Sequence, residues 1–454
     1  MRTRTAKILK GVAITLLVLG VLYAIGVVVS SAKLRRAYAA LEKGGRPMKP
    51  AEIIPPDVPG TENAALLYKS AILLLEAQPV PSAQAQDENL LGRLEELSRL
   101  FLTESLDAEQ RAELEQLLAQ NVVLQALSVV EQGTHRRQCR FDYDYEAGFN
   151  MIMPHLSGLR NLIRILGAKA SLEAQAGRSK AAWDLAMSQL RFADAMRKDP
   201  VLISQLIRFS SIRVSCETIQ KLCESDPPDD EHYRNLESLL LDYQDNTPLV
   251  LAFDGERLLG GEWVFNLLKT ESGKVLGVGS GNDDESGLER LLMSLYAAFK
   301  PLSLADQAAY MRILGDHTRF AQQPYRLSEQ NALDAPISRL HLVTSITVPA
   351  LGRVYEVFWE TVAQMRITRA GLAILQEKKA GNSFPDALEP FASKQAGDPF
   401  SDGPLRYRSA DGGFVLYSVG PDQTDDGGRP RQKRQETGWD IVWQFPAGEQ
   451  AEAQ

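Results

Sequence analysis

The side chains that most often carry catalysis are sparse in this chain of 454 residues. Its five histidines include no HExxH motif and no two that are three or four residues apart, so metal ligation from one helix is not predicted. No GxSxG nucleophile elbow is present. The acidic pairs Asp229-Asp230 and Asp142/Asp144 are interpreted as solvated surface groups, because acid–base catalysis needs a cleft that the sequence does not reveal. No catalytic residue is predicted, and whether the protein is an enzyme stays open.

The three cysteines are interpreted as small buried side chains. Cys216 and Cys223 lie in one predicted helix, about 10 Å apart along its axis, whereas a disulfide needs Cα atoms within about 7 Å. No Cys/His spacing is typical of zinc. A basic and aromatic cluster at residues 136–145 is interpreted as a packed helix end, with contact to an anionic partner as the alternative.

Residues 11–32 form an uncharged, apolar stretch of 22 residues. As a helix it is about 33 Å long, enough to cross a hydrocarbon core of about 30 Å. Secretory signal peptides have apolar regions of about 7 to 15 residues, so an uncleaved membrane anchor is predicted, with a cleavable signal peptide as the alternative. The four basic residues before the span favour a cytoplasmic N-terminus and an extracytoplasmic body, although three more follow it closely.

Charge is distributed unevenly along the chain. Residues 1–49 contain ten Lys and Arg and one Glu, which leaves 40 basic and 57 acidic residues in the rest. The net charge is therefore −17 beyond residue 49, in a chain whose total is −8. Because phosphate recognition needs clustered positive charge, no nucleic-acid partner is predicted.

Hydrophobic periodicity predicts a mainly α fold. Within it, a helix over 156–176 ends at Gly177, a second ends at Asp199-Pro200, and a third begins near Leu202. No second copy of this pattern recurs at a 34-residue period, so a non-repeating helical bundle or irregular solenoid is predicted. The predicted divisions are residues 1–32 for a cytoplasmic tail and transmembrane anchor, 33–61 for a juxtamembrane helix and Pro-rich spacer, 62–336 for a helical domain, 337–446 for a long helix plus an antiparallel sheet module, and 447–454 for a disordered tail.

Three further features are predicted in the second half of the chain. The glycine-rich stretch 273–287 is predicted to be a loop, and its order of residues does not fit phosphate binding. The long helix near the C-terminal end is expected to be interrupted near Pro349. Alternating runs at 404–409, 413–419 and 439–445 predict the three strands of the small sheet.

The C-terminal module carries several short motifs in a particular order. They are Phe384-Pro385, Asp398-Pro399-Phe400, Pro404 to Tyr407, Phe414 to Ser418, Gly420, Asp422 and Trp439-Asp440-Ile441, after a helix that ends in Lys378-Lys379. This order resembles the C-terminal half of the major pseudopilin of bacterial type II secretion, and the likeness covers about 80 residues. The resemblance implies a pseudopilin-like α+β fold for this module and a link to secretion or pilus machinery. The anchor lacks the Gly-Phe cleavage junction and the glutamate of pseudopilins, so assembly as a pilin subunit is not expected.

The same resemblance implies a calcium site. In that family an acidic loop that closes with Ala-Asp-Ile binds calcium, an ion that takes six to eight oxygens. Asp422 and Asp440 match the first and last aspartates of that loop, and Asp425 and Asp426 offer further carboxylates. Four basic residues depart from the acidic family loop, and the alternative is that the aspartates pair with them and with the loop backbone. These basic residues are Arg429, Arg431, Lys433 and Arg434.

Together these features predict a single-pass protein of the bacterial inner membrane whose body faces the periplasm. Its helical body is expected to be a scaffold for a protein partner, with residues 11–32 contacting the membrane. The alternative is an extracytoplasmic hydrolase with a site between helices. An exposed apolar groove would favour the scaffold, and a polar cleft with converging histidines or carboxylates would favour the hydrolase.

Overall fold

The protein is mainly helical, with a long apolar N-terminal helix and a small antiparallel sheet near the C-terminal end, which confirms the predicted mainly α fold. The glycine-rich stretch 273–287, the break near Pro349 and the tail 447–454 lie outside the described residues. The computed structural model describes residues 2–80, 89–104, 106–270, 295–296, 298–327, 331, 337–338, 340–348, 351–381, 383–388, 397–410, 412–431 and 438–446.

Fourteen α-helices are present in these ranges, joined in places by short helical turns. Two 3-10 turns span Pro50–Glu52 and Tyr145–Asn150, and a π-helical turn spans Glu256–Gly261. The α-helices are α1 (Arg2–Lys43), α2 (Ala64–Glu76), α3 (Leu90–Thr103), α4 (Ala108–Leu118), α5 (Asn121–Thr134), α6 (His155–Gln175), α7 (Ser179–Ala193), α8 (Leu202–Ser225), α9 (Asp230–Asp242), α10 (Thr247–Gly255), α11 (Glu262–Thr270), α12 (Lys300–Ala321), α13 (Leu342–Thr347) and α14 (Leu351–Lys379).

Helix α1 joins the predicted anchor and the predicted juxtamembrane helix into one unbroken helix. It is long and apolar enough to cross a membrane. Residues 8–25 are exposed along the whole circumference of the helix, and contact with the rest of the protein begins at Tyr23, whose ring packs on Phe299. An apolar helix surface that is exposed in this way needs another apolar environment, which is the pattern expected of a membrane anchor.

The core of the body is built by α6, α7 and α8, which confirm the three predicted helices, except that α7 ends at Ala193, before the predicted end at Asp199-Pro200. Gly177 follows α6 with φ of +75°, the left-handed conformation that commonly ends a helix. Cys216 and Cys223 are buried in α8 as free thiols, as predicted. Helices α2, α3 and α5 pack around this core.

Helix α14 packs against the helical body on one side and against the sheet on the other. On one side Phe358 contacts Phe209 of α8, with ring centroids 5.4 Å apart. On the other side Gly371 lies so close to Trp443 of the sheet that a Cβ atom would be 2.0 Å from the indole ring. The sheet module is therefore packed directly on the helical body through α14.

The sheet contains three antiparallel strands in the order β1 (Arg406–Ala410), β2 (Gly413–Ser418) and β3 (Ile441–Phe445), which confirms the strand predictions. The Asp-Pro-Phe motif ties the preceding loop to β2. The carboxylate of Asp398 accepts hydrogen bonds from the Phe400 amide at 3.0 Å, the Ser418 hydroxyl at 2.6 Å and the Val419 amide at 3.0 Å. This motif therefore has a structural role in the module.

Candidate functional site

Two of the four predicted calcium ligands are held by hydrogen bonds within the loop between β2 and β3. The exposed carboxylate of Asp422 accepts a bond from the Thr424 amide at 3.1 Å. The carboxylate of Asp425 accepts bonds from the Gly427 amide and the Tyr417 hydroxyl, both at 3.0 Å. The bond from Gly427 is the main reason that the pKa of Asp425 is lowered. These two aspartates support the loop conformation.

The other two predicted ligands lie next to each other. The buried carboxylate of Asp440 accepts hydrogen bonds from the Gly428 amide at 2.7 Å and the Asp426 amide at 3.4 Å. Burial raises the pKa of Asp440 despite these bonds. Oδ2 of Asp426 is buried and has no hydrogen-bond partner among the described residues. A buried carboxylate oxygen without a hydrogen-bond donor could be stabilised by a bound cation.

The basic residues of the loop are only partly described. The Arg431 guanidinium lies over the Trp439 ring, 4.8 Å from its centroid, and Lys433 and Arg434 lie outside the described residues. Asp425 pairs instead with Arg406 of β1, at 3.3 Å. Within the described ranges no group of three or more His, Cys, Asp or Glu side chains has the arrangement of a metal site. Calcium binding stays a prediction.

A second candidate site is an apolar groove on the helical body. It lies between the turn at Tyr145–Asn150, the start of α8 and the π-helical turn at Glu256–Gly261, and it encloses a cavity of about 230 Å³. Two large apolar side chains of its lining are exposed to solvent, Phe149 at 38% and Ile203 at 43% of full exposure. Ile152, in the chain between the wall residues Met151 and Met153, is 80% exposed. The walls of the groove are Met151, Met153, Val201, Leu202 and Leu259.

Close glycine contacts shape this groove. Gly148 has φ of +57°, and a Cβ atom there would lie 2.3 Å from the Trp263 ring. A Cβ atom on Gly255 would lie 1.8 Å from the Pro200 carbonyl oxygen, and one on Gly261 would lie 1.9 Å from the Tyr310 ring. Only glycine allows these approaches, which bring the turn and the start of α8 to the same wall.

The groove contains one charged side chain, Glu256, at the first position of the π-helical turn. Burial raises the pKa of its carboxyl group to about 7. The Tyr310 hydroxyl donates a hydrogen bond to the Glu256 carbonyl oxygen at 3.1 Å, which satisfies a backbone acceptor at the π turn. Insertions of this kind into α-helices are frequent at functional sites. The Glu256 carboxyl is the ionisable group that a ligand in this groove would meet.

Next to Glu256, a buried ionic network connects the groove to the segment after α1. Arg257 is fully buried and donates a hydrogen bond to the Asp254 carboxylate at 3.1 Å. Arg46 forms an ion pair with the same carboxylate, and Arg257 also donates to the Pro47 carbonyl oxygen. Buried charges need such partners, so the chain leaving α1 is fixed to the wall of the groove.

A larger, more polar cleft of about 910 Å³ lies between α14 and the sheet module. Its buried carboxylate, Asp398, is already engaged by three protein donors, and its Arg366 donates to Gln244 and to the Gly397 carbonyl oxygen. Elsewhere, His155 bonds to the Tyr143 hydroxyl at 2.8 Å, and His232 lies 3.0 Å from Asp184. The Ser418 hydroxyl that donates to Asp398 is fully buried and does not line the cleft.

The predicted surface acids and the basic cluster have structural roles. Asp229 caps α9 by accepting bonds from two amides of its first turn. Phe141 stacks on His155 with ring centroids 4.0 Å apart, and Arg140 pairs with Asp57 at 3.1 Å. The groove residues were not predicted. Their signal in the sequence is the group of three charges, Asp254, Glu256 and Arg257, inside an otherwise apolar, glycine-containing stretch.

Comparison with known proteins gives no relative on which to base a function. No protein-family model, no curated protein and no solved structure matches the chain. Function is therefore inferred from the chain's own geometry.

Proposed function

We propose that the protein is a single-pass, membrane-anchored scaffold whose extracytoplasmic helical body binds an apolar segment of a partner protein. The anchor is α1, which is long and apolar enough to span a membrane. The observation that carries the binding role is the exposed apolar groove around Glu256. Exposed apolar surface of this kind commonly marks interaction sites, because it is costly to leave in water.

The composition of the groove indicates what the partner segment offers. Met151 and Met153 are flexible and polarisable, so they adapt to apolar side chains of different shape. The Glu256 carboxyl is the one acidic group in the lining. Its raised pKa means that ionisation is unfavourable until a positive charge or a donor is supplied. The partner segment is therefore apolar with one Lys or Arg placed to meet Glu256.

The C-terminal module is the second part of the proposal. Its motif order resembles the type II secretion pseudopilin, and its three antiparallel strands are compatible with that resemblance. On this basis the partner belongs to secretion or pilus machinery. The Asp426 amide bonds to the Asp440 carboxylate, and Oδ2 of Asp426 is buried with no partner among the described residues, which supports calcium as the ion of this module.

The location of the body is tested by fusions after residue 446 of the full chain. Alkaline phosphatase folds only in an oxidising extracytoplasmic compartment, because it needs disulfides. The proposal predicts that in bacterial cells the phosphatase fusion is active and the fusion to green fluorescent protein does not fluoresce. The reverse pattern would place the body in the cytoplasm.

The groove is tested by photo-crosslinking in cells with p-benzoylphenylalanine at Phe149 or Ile203, two exposed residues of its lining. Leu73 on α2 is the matched control, because it is an exposed apolar residue outside the groove. We expect both groove positions to give the same adduct, which mass spectrometry maps to an apolar segment with a basic residue. Glu256→Gln keeps the shape of the groove and should reduce the yield. Equal labelling at Leu73, or no adduct from the groove, would overturn the proposal.

A further inference from the structure

The first turn of α12 lies beside the apolar part of α1. Phe299 packs edge-to-face on Tyr23, with ring centroids 5.5 Å apart. The Ser30 hydroxyl donates a hydrogen bond to the Pro301 carbonyl oxygen at 2.8 Å. A Cβ atom on Gly26 would lie 3.0 Å from the Pro301 side chain. The end of α12 is thus fixed at a defined height on α1.

The two helices continue side by side in the same direction. The Gln307 amide donates to the Tyr38 hydroxyl at 3.1 Å. Farther along, Gly315 faces Leu41, which is buried. Since α1 is unbroken through Lys43, a position on α12 can be converted into a distance along the anchor.

This distance places Phe299 within the depth of a bilayer. The exposed stretch of α1, residues 8–25, is about 27 Å long, shorter than a hydrocarbon core of about 30 Å. A core that starts between Ile8 and Gly11 ends about 20 residues later, near residues 28–31. Tyr23 and its neighbour Phe299 then lie about 8 to 12 Å inside the hydrocarbon boundary.

The surface at this height is apolar. Phe299 is 50% exposed and Leu295 is 58% exposed, although both are large hydrophobic residues. In water this pair of exposed side chains is unfavourable, whereas in lipid it is stabilised.

The backbone of this turn also suits an apolar environment. The amide of Phe299 donates to the Leu295 carbonyl oxygen at 3.0 Å. The amide of Leu302 donates to the Phe299 carbonyl oxygen at 2.9 Å. Pro301 has no N–H group to satisfy. A helix start normally leaves several donors unpaired, and unpaired donors are costly in lipid. These bonds reduce that cost.

Basic side chains lie where headgroups would be. Lys33, Arg35 and Arg36 are exposed just beyond the apolar stretch of α1. Lys300 is exposed next to Phe299, and its long side chain can reach the headgroup region while its stem stays in the apolar layer. This arrangement is typical of segments that lie in a lipid interface.

We propose that the N-terminal end of α12 and the turn before it, with Leu295 and Phe299, insert into the leaflet on the body's side of the membrane that α1 crosses. The occupant of this apolar surface is phospholipid. The body is thereby seated on the bilayer at two places, the anchor and this wedge, which limits its rotation about α1. The inference depends on the membrane anchoring in the proposed function.

The test uses the full chain in vesicles of phosphatidylcholine and phosphatidylglycerol. Single cysteines are introduced by Phe299→Cys, Leu295→Cys, Val18→Cys and Leu73→Cys in a Cys139→Ala background and carry a nitroxide spin label. Native Cys216 and Cys223 are buried and stay unlabelled. Power saturation then compares the access of oxygen, which concentrates in lipid, with that of a water-soluble nickel chelate. Val18 reports the anchor, and Leu73 reports an exposed apolar site on α2.

We expect the oxygen-to-nickel ratio at Phe299 and Leu295 to shift toward the value at Val18 and away from that at Leu73. If Val18 is in lipid while both wedge positions behave like Leu73, the anchor stands and this inference is overturned. If Val18 is itself in water, membrane anchoring fails and the wedge fails with it.

Discussion

The guanidinium of Arg46, three residues beyond the end of α1, forms an ion pair with the carboxylate of Asp254 in α10, and the Asp254 side chain is only 1% exposed. This contact joins the chain that leaves the anchor to the helical turn that forms the groove. The two parts assigned to the membrane and to the partner are therefore directly connected, through residues 208 positions apart.

Removal of the Arg46 side chain is expected to destabilise the body. Arg46→Ala leaves the buried Asp254 carboxylate with Arg257 as its cation, so we expect the free energy of unfolding to fall by about 2 kcal/mol. The measurement is urea unfolding of the full chain in detergent, followed by circular dichroism. Arg35→Ala on the exposed side of α1 is the control and should change stability by less than about 0.5 kcal/mol. Equal losses in the two variants would contradict this role.

Glu256 is expected to give the protein a pH-dependent stability. The folded-state pKa is about 7, above the ordinary value of 4.5, so the folded state keeps the proton that the unfolded state loses. The stabilisation is complete below about pH 4.5 and is lost as pH rises toward about 7, by at most about 3 kcal/mol.

Glu256→Gln should remove this part of the pH dependence. The measurement is the difference in unfolding free energy between variant and wild type from pH 4 to pH 8. Asp199, whose pKa burial raises to about 6, and His155, whose pKa burial lowers to about 4, titrate in both proteins and cancel in the difference. Glu76→Gln on the exposed surface of α2 is the control. A flat difference for Glu256→Gln would show that its carboxyl is not desolvated.

The contact between Gly371 and Trp443 is expected to control docking of the sheet on α14. In an exposed helix, Gly→Ala stabilises by about 1 kcal/mol, but here the new Cβ would lie 2.0 Å from the indole ring. We expect Gly371→Ala to destabilise by about 1 to 3 kcal/mol through overpacking. Trp443→Leu should relieve the overlap, so the double variant loses less stability than the sum of the two single variants. Strict additivity in urea unfolding would contradict a direct clash.

Calcium is expected to stabilise the C-terminal module if the resemblance to pseudopilins extends to the ion. At 100 times its dissociation constant, a ligand that binds only the folded state stabilises it by about 2.7 kcal/mol. The measurement is thermal melting of the full chain with calcium and with a chelator. Asp426→Asn should abolish the calcium effect, whereas Asp402→Asn, outside the loop, should not. Identical melting in both conditions would contradict calcium binding. It would instead indicate that the loop is stabilised by its own hydrogen bonds.

Much of the local structure could be predicted from the sequence. The apolar stretch of α1, the three helices around Gly177 and the three strands follow from periodicity and from helix-ending residues, which act over a few neighbours. The division at residue 33 did not correspond to a break, because no residue there interrupts the helix. The alternating runs near the C-terminal end predicted the sheet but not the bonds that each aspartate makes.

The sequence by itself determined an N-terminal helix apolar enough to cross a membrane, the helical class and the positions of the three strands, because hydrophobic patterning fixes which faces are buried. The tertiary structure alone decided that Glu256 faces an apolar groove, that Arg46 reaches Asp254, and that Phe299 lies beside Tyr23. The residues that meet in each case are far apart in the chain. Their approach depends on glycine contacts and helix packing that no local pattern encodes. Burial, which sets the pKa of Glu256, is likewise a property of the assembled fold.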